Sequence, residues 1–137
     1  LATFPCRNLT KLCIKSKFIE VLPPLPPKLK YLDVSYCTKV HQLPALPPTL
    51  QKLRCEGCVA LGELPSTLSS TAVSRLSCRD CKQLEGLPQL PLGLVQLELW
   101  GCKKLRSLPA LPEGLMYLNV GKCAALAEVS RFEGVCE

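Results

Sequence analysis

Leu50-Gln-Lys-Leu53-Arg-Cys55-Glu-Gly-Cys58-Val-Ala-Leu61-Gly-Glu-Leu64-Pro65 is one copy of a cassette that recurs along the chain. Another copy is Leu94-Val-Gln-Leu97-Glu-Leu99-Trp-Gly-Cys102-Lys-Lys-Leu105-Arg-Ser-Leu108-Pro109. The first apolar residue of successive units is Leu9, Leu29, Leu50, Val73, Leu94 and Leu115, at intervals of 20, 21, 23, 21 and 21 residues. Repetition at this period means stacked supersecondary units, each too small to bury its own apolar face. Every cysteine, proline and charge must therefore be read first as a repeat position.

Within each unit, apolar and polar residues alternate, as in Tyr31-Leu-Asp-Val-Ser35 and Gln96-Leu-Glu-Leu-Trp100. A period of two predicts a strand with one buried face. The strand is followed by Leu-Pro pairs. Pro44, Pro47 and Pro48 fix φ and lack an N–H, so they suit neither a helix interior nor a central ladder. They suit an extended, polyproline-like return. A unit of about 21 residues leaves no room for a strand plus a long helix. The two extra residues of the longest unit fall in Ser66–Ala72, a polar stretch read as a loop insertion.

The chain has 137 residues, which is one domain by size. We expect a single array over residues 1–137, excised from a longer protein, because the first residues are already repeat-like. Phe4-Pro5 reads as the tail of a preceding unit. Arg131–Glu137 breaks the pattern and reads as a short cap. No apolar run reaches the length of a membrane span, and no basic start leads into an apolar stretch. The net charge of +6 favours acidic partners, and the basic residues are spread along the chain. Asn8-Leu9-Thr10 is a glycosylation sequon, but Leu9 falls on a buried repeat position.

The pattern Leu-x-x-Leu-x-(Leu/Val/Ile/Cys)-x-x-Cys-x-x-Leu-x-x-Leu-Pro-x-Leu-Pro resembles the leucine-rich repeat family, over about nine tenths of the chain. The resemblance implies a leucine-rich repeat solenoid. Short parallel β-strands would line the concave face, with extended, polyproline-like or 3₁₀ convex segments and little or no α-helix. Two branches are similar. The Leu-Pro-x-Leu-Pro return is similar to that of secreted bacterial effectors. The ladder cysteine and the spacing of Gly101-Cys-Lys-Lys-Leu-Arg-Ser-Leu-Pro and Lys122-Cys-Ala-Ala-Leu-Ala-Glu-Val-Ser resemble plant intracellular immune receptors with a nucleotide-binding domain. What the resemblance implies is a non-catalytic protein-recognition module, with no cofactor, in the cytoplasm or the host cytosol. The alternative is the substrate-recognition domain of a bacterial effector ubiquitin ligase whose catalytic domain lies elsewhere.

Ten cysteines suggest disulfides in a secreted chain, but the repeat accounts for half of them. Cys37, Cys58, Cys81, Cys102 and Cys123 share one position, held by Lys17 in the first unit. A small buried thiol suits a turn there, and one buried column of thiols fits a reducing compartment. Cys55-Glu-Gly-Cys58 and Cys78-Arg-Asp-Cys81 together have the spacing of a zinc site. Cys55 and Cys78 also sit where sister units carry Val34, Leu99 and Val120, so both a core and a metal reading stay open. Cys78-Arg79-Asp80 echoes the nucleophile motif of the effector ligases, but on a strand rather than in a helical domain. His41 is the one histidine and falls in a polar segment, which leaves little for Cys–His catalysis. Cys13 is an outward residue between Lys11 and Lys15, a setting that favours thiolate. Cys6 and Cys136 lie near the ends, where an end-cap disulfide is one reading.

Register defines three outward rows. The first is Lys11, Tyr31, Lys52, Arg75, Gln96 and Tyr117; the second is Cys13, Asp33, Arg54, Ser77, Glu98 and Asn119. The third is Lys15, Ser35, Glu56, Arg79, Trp100 and Gly121. Lys52, Arg54, Arg75 and Arg79 should cluster over two strands, with Trp100 and Tyr117 further along and Tyr31 to the other side. Arg, Tyr and Trp dominate binding hot spots, so these seven are the candidate partner-binding residues. Asp33, Glu56 and Glu98 interrupt the positive field and argue against nucleic acid. Pro23-Pro-Leu-Pro-Pro-Lys28 matches a ligand for an aromatic-groove domain, but equally a convex return with Leu25 buried. Lys39, Lys82, Lys103 and Lys104 form a second cationic stripe, read as a solvated edge.

Overall fold

The computed structural model describes residues 4–126 of the chain. Six strands of three residues follow one another: β1 (Lys11–Cys13), β2 (Tyr31–Asp33), β3 (Lys52–Arg54), β4 (Arg75–Ser77), β5 (Gln96–Glu98) and β6 (Tyr117–Asn119). They form one parallel sheet in chain order. Leu12, Leu32, Leu53, Leu76, Leu97 and Leu118 are the in-register central residues. The four inner leucines from Leu32 to Leu97 are at most 1 % exposed, whereas Leu12 on the end coil is only half-buried. The architecture is a repeat solenoid with almost no helix. Among the described residues, no helix is long and apolar enough to cross a membrane.

Three kinds of tight turn shape the coils, all closed by hydrogen bonds from residue i+3 back to residue i. At the first, the N–H groups of Cys37, Cys81, Cys102 and Cys123 donate to the carbonyls of Val34, Cys78, Leu99 and Val120. At the second, Val40, Leu61, Leu84, Leu105 and Leu126 donate to the ladder cysteine of their own coil. At the third, Leu29, Leu50, Leu94 and Leu115 donate to Pro26, Pro47, Pro91 and Pro112. Proline has no N–H to give but keeps its carbonyl. A Pro-x-x-Leu turn therefore uses the only backbone hydrogen-bonding group the proline has.

The first turn requires a left-handed residue. Tyr36, Gly57, Asp80, Gly101 and Lys122, each just before a ladder cysteine, all have positive φ, between 55° and 80°. A Cβ on Gly57 would come within 2.5 Å of the Tyr36 ring, and one on Gly101 would overlap the Asp80 carboxylate. Each glycine thus makes room for the side chain on the coil before it.

The longest unit holds a difference from expectation. Ser66–Ser70 is a 3₁₀ helix, not an open loop, and it buries Leu68 completely. Two turns in succession run from Leu68 N–H to Pro65 and from Thr71 N–H to Leu68. The Thr71 hydroxyl also donates to the Leu68 carbonyl at 2.7 Å. The insertion's one leucine thus joins the core. The expected cap at 131–137, together with Cys136, lies outside the described residues.

The ladder cysteines point inward and act as donors. The Sγ of Cys58, Cys81, Cys102 and Cys123 lies 3.0–3.1 Å from the carbonyls of Val34, Cys55, Cys78 and Leu99 respectively. Cys37 makes a longer contact, 3.5 Å, to Ile14. Each thiol reaches a carbonyl of the preceding coil, so the column ties neighbours together as well as filling space. Burial disfavours the thiolate and pushes Cys58 and Cys102 up to about 12.

Candidate binding surface

The sheet displays its outward rows in the expected register. Strand pairing sets Lys11, Tyr31, Lys52, Arg75, Gln96 and Tyr117 side by side, and likewise Cys13, Asp33, Arg54, Ser77, Glu98 and Asn119. Adjacent members of a row start about 4.8 Å apart, the spacing of neighbouring strands.

Not all of these side chains are free. Asp33 and Ser35, read as outward, are buried. The Asp33 carboxylate accepts the Ser35 N–H at 2.9 Å, and the Ser35 hydroxyl accepts the Glu56 N–H at 3.2 Å. Both are spent on the turn that leaves the sheet. Asn119 has the same role on the last strand, accepting the Gly121 N–H at 3.0 Å.

The four cations of the expected basic cluster separate into different roles. Arg54 is paired with Glu56, its same-face neighbour two residues on, and Ser77 donates to the same carboxylate at 3.2 Å. Hydrogen bonds to Glu56 and then Tyr31 raise the Arg54 pKa further above its already high value. Arg54 is thus a neutralised, positioned group. Lys52, Arg75 and Arg79 have no carboxylate within ion-pair distance among the described residues. Lys52 and Arg75 are direct cross-strand neighbours. Like charges placed so are mildly destabilising, so folding does not call for them. Together with Arg54, Glu56, Ser77, Gln96 and Glu98 they line a shallow depression of ≈190 Å³.

Two aromatic rings each gather two cations. Tyr31 lies between Lys11 and Lys52, with ammonium groups 5.0 and 5.2 Å from the ring centroid. Trp100 lies between Arg79 at 5.4 Å and Lys122 at 5.1 Å. These distances suit cation–π attraction. The indole has a specific seat: a Cβ on Gly121 would approach Trp100 Cδ1 to 2.7 Å. Tyr117 is half-buried, and its hydroxyl accepts from Asn119 at 3.4 Å. The sheet thus brings Tyr31, Lys52, Arg54 and Arg75 together, while Trp100 and Arg79 form a second group. Lys11 and Lys122 complete the two groups and are not among the seven residues expected from sequence. Lys11 is visible in its row, whereas Lys122 emerges only from its left-handed backbone.

Gly121→Ala should therefore unseat Trp100 while leaving the core intact. As the one tryptophan, it reports its own displacement: we expect a red-shifted emission maximum with unchanged far-ultraviolet circular dichroism. An unaltered spectrum would show that the indole does not rest on Gly121.

The other candidates find structural places. Cys78 and Cys55 are fully buried core residues, and Cys13, Cys6 and His41 are exposed. The Sγ atoms of Cys55 and Cys78 are 3.2 Å apart, while Cys58 and Cys81 are directed at carbonyls. Among the described residues, no group of three or more His, Cys, Asp or Glu is disposed to hold a metal ion. Pro23–Lys28 is a convex return with Pro26 buried and Leu25 half-buried. Lys39, Lys82, Lys103 and Lys104 are exposed, and Lys104 donates to Gln83 at 2.7 Å. No known family model and no curated protein matches the chain.

Proposed function

We propose that this chain is a non-catalytic protein-recognition module of leucine-rich repeat type, which binds an acidic protein segment on its concave sheet. The observation that carries this reading is the pair of aromatic groups, Lys11–Tyr31–Lys52 and Arg79–Trp100–Lys122. They share one sheet face with Arg75, which has no ion-pair partner among the described residues. Aromatic rings offer contact area at low entropic cost, and the flanking cations add steering and selectivity for negative charge. The backbone beneath is held by in-register pairing, so binding needs little reorganisation. The buried thiols donate hydrogen bonds as S–H groups, which accords with a reducing, cytoplasmic setting. Immune recognition or host–pathogen contact is the biological context that the resemblance of the repeats favours.

The test is affinity capture from nuclease-treated lysate with the wild-type domain and two folded variants, Lys52→Glu/Arg75→Glu/Arg79→Glu and Trp100→Ala/Tyr117→Ala. Arg54 is left intact because its partner Glu56 would otherwise be orphaned. A protein held by the wild type should be lost at least tenfold by the charge-reversed variant and weakened by the aromatic one. Equal retention by all three would remove the concave face as the binding surface.

A further inference from the structure

We propose that Cys55 and Cys78 are an oxidant-reactive pair, which hydrogen peroxide or a related hydroperoxide converts into a disulfide joining the third coil to the fourth. The proposal is independent of any ligand on the concave face.

It starts from an anomaly of the repeat. The inward position just after each strand carries Ile14, Val34, Leu99 and Val120, ordinary core aliphatics, in four units. Only the two neighbouring units between them carry cysteine there. The ladder position already supplies a thiol to each of these coils, so a second thiol is not needed for the turn. Cys55 and Cys78 are 0 % exposed and their Sγ atoms lie 3.2 Å apart, inside the usual contact distance of two sulfurs.

Backbone geometry permits the bond. The Cys55 N–H donates to Ser77 and the Cys78 N–H to Glu98, so the parallel ladder continues through both residues. Neighbouring strands set opposed Cα atoms about 4.8 Å apart, inside the roughly 4.4–6.8 Å window that disulfides occupy. Bond formation requires the sulfurs to close by about 1 Å, toward roughly 2.05 Å. Cys58 and Cys102 are poor competitors, because each is directed at a carbonyl 3.0–3.1 Å away. Cys81 also reaches a carbonyl, that of Cys55 at 3.0 Å, but hydrogen bonds from Cys55 and Cys78 draw its pKa down to about 5, so it is the one rival thiol that the mapping must find unlinked.

The chemistry balances in two steps. One thiol is oxidised by the peroxide to a sulfenic acid, RSH + H₂O₂ → RSOH + H₂O. The neighbouring thiol then displaces water from that sulfur: RSOH + R′SH → RSSR′ + H₂O. The two thiols lose two electrons and two hydrogens in all, and one peroxide is reduced to two waters. Hydrogen bonding to Cys78 and Cys81, and then burial, hold Cys55 well above the usual thiol range. At Cys78 the hydrogen bond from Cys55 acts the other way, but Cys81 and burial outweigh it, so this thiol is raised too. The first step is accordingly slow and proceeds through local opening, whereas the second is fast because the partner is already in place.

Peptide mapping tests the pair directly. Folded wild-type chain is treated with hydrogen peroxide, quenched with catalase, unfolded, alkylated and digested with trypsin. Cleavage after Arg54, Arg75 and Arg79 yields peptides 55–75 and 76–79, which would be linked through Cys78. The expected product is that linked pair with Cys58 alkylated, about 2 Da lighter than the same two peptides with free thiols at Cys55 and Cys78 because two hydrogens are lost, while Cys81 is recovered alkylated on its own peptide. Cys55→Val, which restores the sister-unit residue and preserves the core, should abolish it. The oxidised wild type should also unfold less readily, its unfolding constant reduced on the order of a hundredfold by the closed loop. The proposal is overturned if the folded chain keeps Cys55 and Cys78 alkylatable while exposed Cys6 and Cys13 oxidise. It is equally overturned if peptide 76–79 remains linked in Cys55→Val.

Discussion

Leu76→Ala is expected to destabilise the domain by about 3–5 kcal/mol, because it empties a fully enclosed core site. Against a total of about 5–15 kcal/mol for an ordinary domain, that is enough to unfold much of the population in mild denaturant. The same change at Leu12 should cost clearly less. Leu12 holds the same register position but lies half-buried on the first described coil, where among the described residues its strand pairs on one side only. In a stack where each unit contacts only its neighbours, the penalty follows the number of neighbours. Urea unfolding midpoints of the two variants beside the wild type check this. Equal costs at both positions would contradict nearest-neighbour energetics for the array.

A second large effect should appear at alkaline pH. Burial holds Cys58 and Cys102 near 12 in the folded chain, whereas an unfolded thiol titrates near about 8.5. Between those values the unfolded state has released protons that the folded state retains. Stability is therefore fully present below about pH 8.5 and falls as pH rises toward 12. Each thiol contributes a slope of up to about 1.4 kcal/mol per pH unit, so the pair removes roughly 5 kcal/mol between about pH 9 and 11. Denaturation midpoints under reducing conditions should fall steeply across that window. The Cys58→Ala/Cys102→Ala variant should begin lower at neutral pH and fall less steeply, the remaining slope coming from Cys55 and Cys78, whose pKa values folding also raises. Parallel profiles for the two proteins would mean that Cys58 and Cys102 do not govern the alkaline loss.

The strand positions were legible from leucine spacing alone, because a side-chain period of two lets only one register bury Leu32, Leu53, Leu76 and Leu97 together. The inward cysteine column was legible for the same reason. The 3₁₀ helix at Ser66–Ser70 was not, since a single Leu68 amid serine and threonine carries no periodic signal. Asp33 and Ser35 were assigned outward by register, which says which way a residue points but not what turn it is recruited to close. The Arg54–Glu56 pair was within reach of the sequence, as residues two apart on a strand share a face. The seat of Trp100 was not, because it depends on a missing Cβ in the next coil. The left-handed position was half visible: Gly57 and Gly101 advertise it, while Tyr36, Asp80 and Lys122 adopt it against ordinary preference.

That column has a bearing on how such a chain changes its length. Its members alternate between bulky and bare: Tyr36, Gly57, Asp80, Gly101, Lys122. Excising the coil that carries Gly57 would bring Tyr36 onto Asp80 with no vacant site to receive the ring. Excising two consecutive coils would restore the match. The array therefore has a parity, and copies gained or lost by duplication fit best when they come and go in twos.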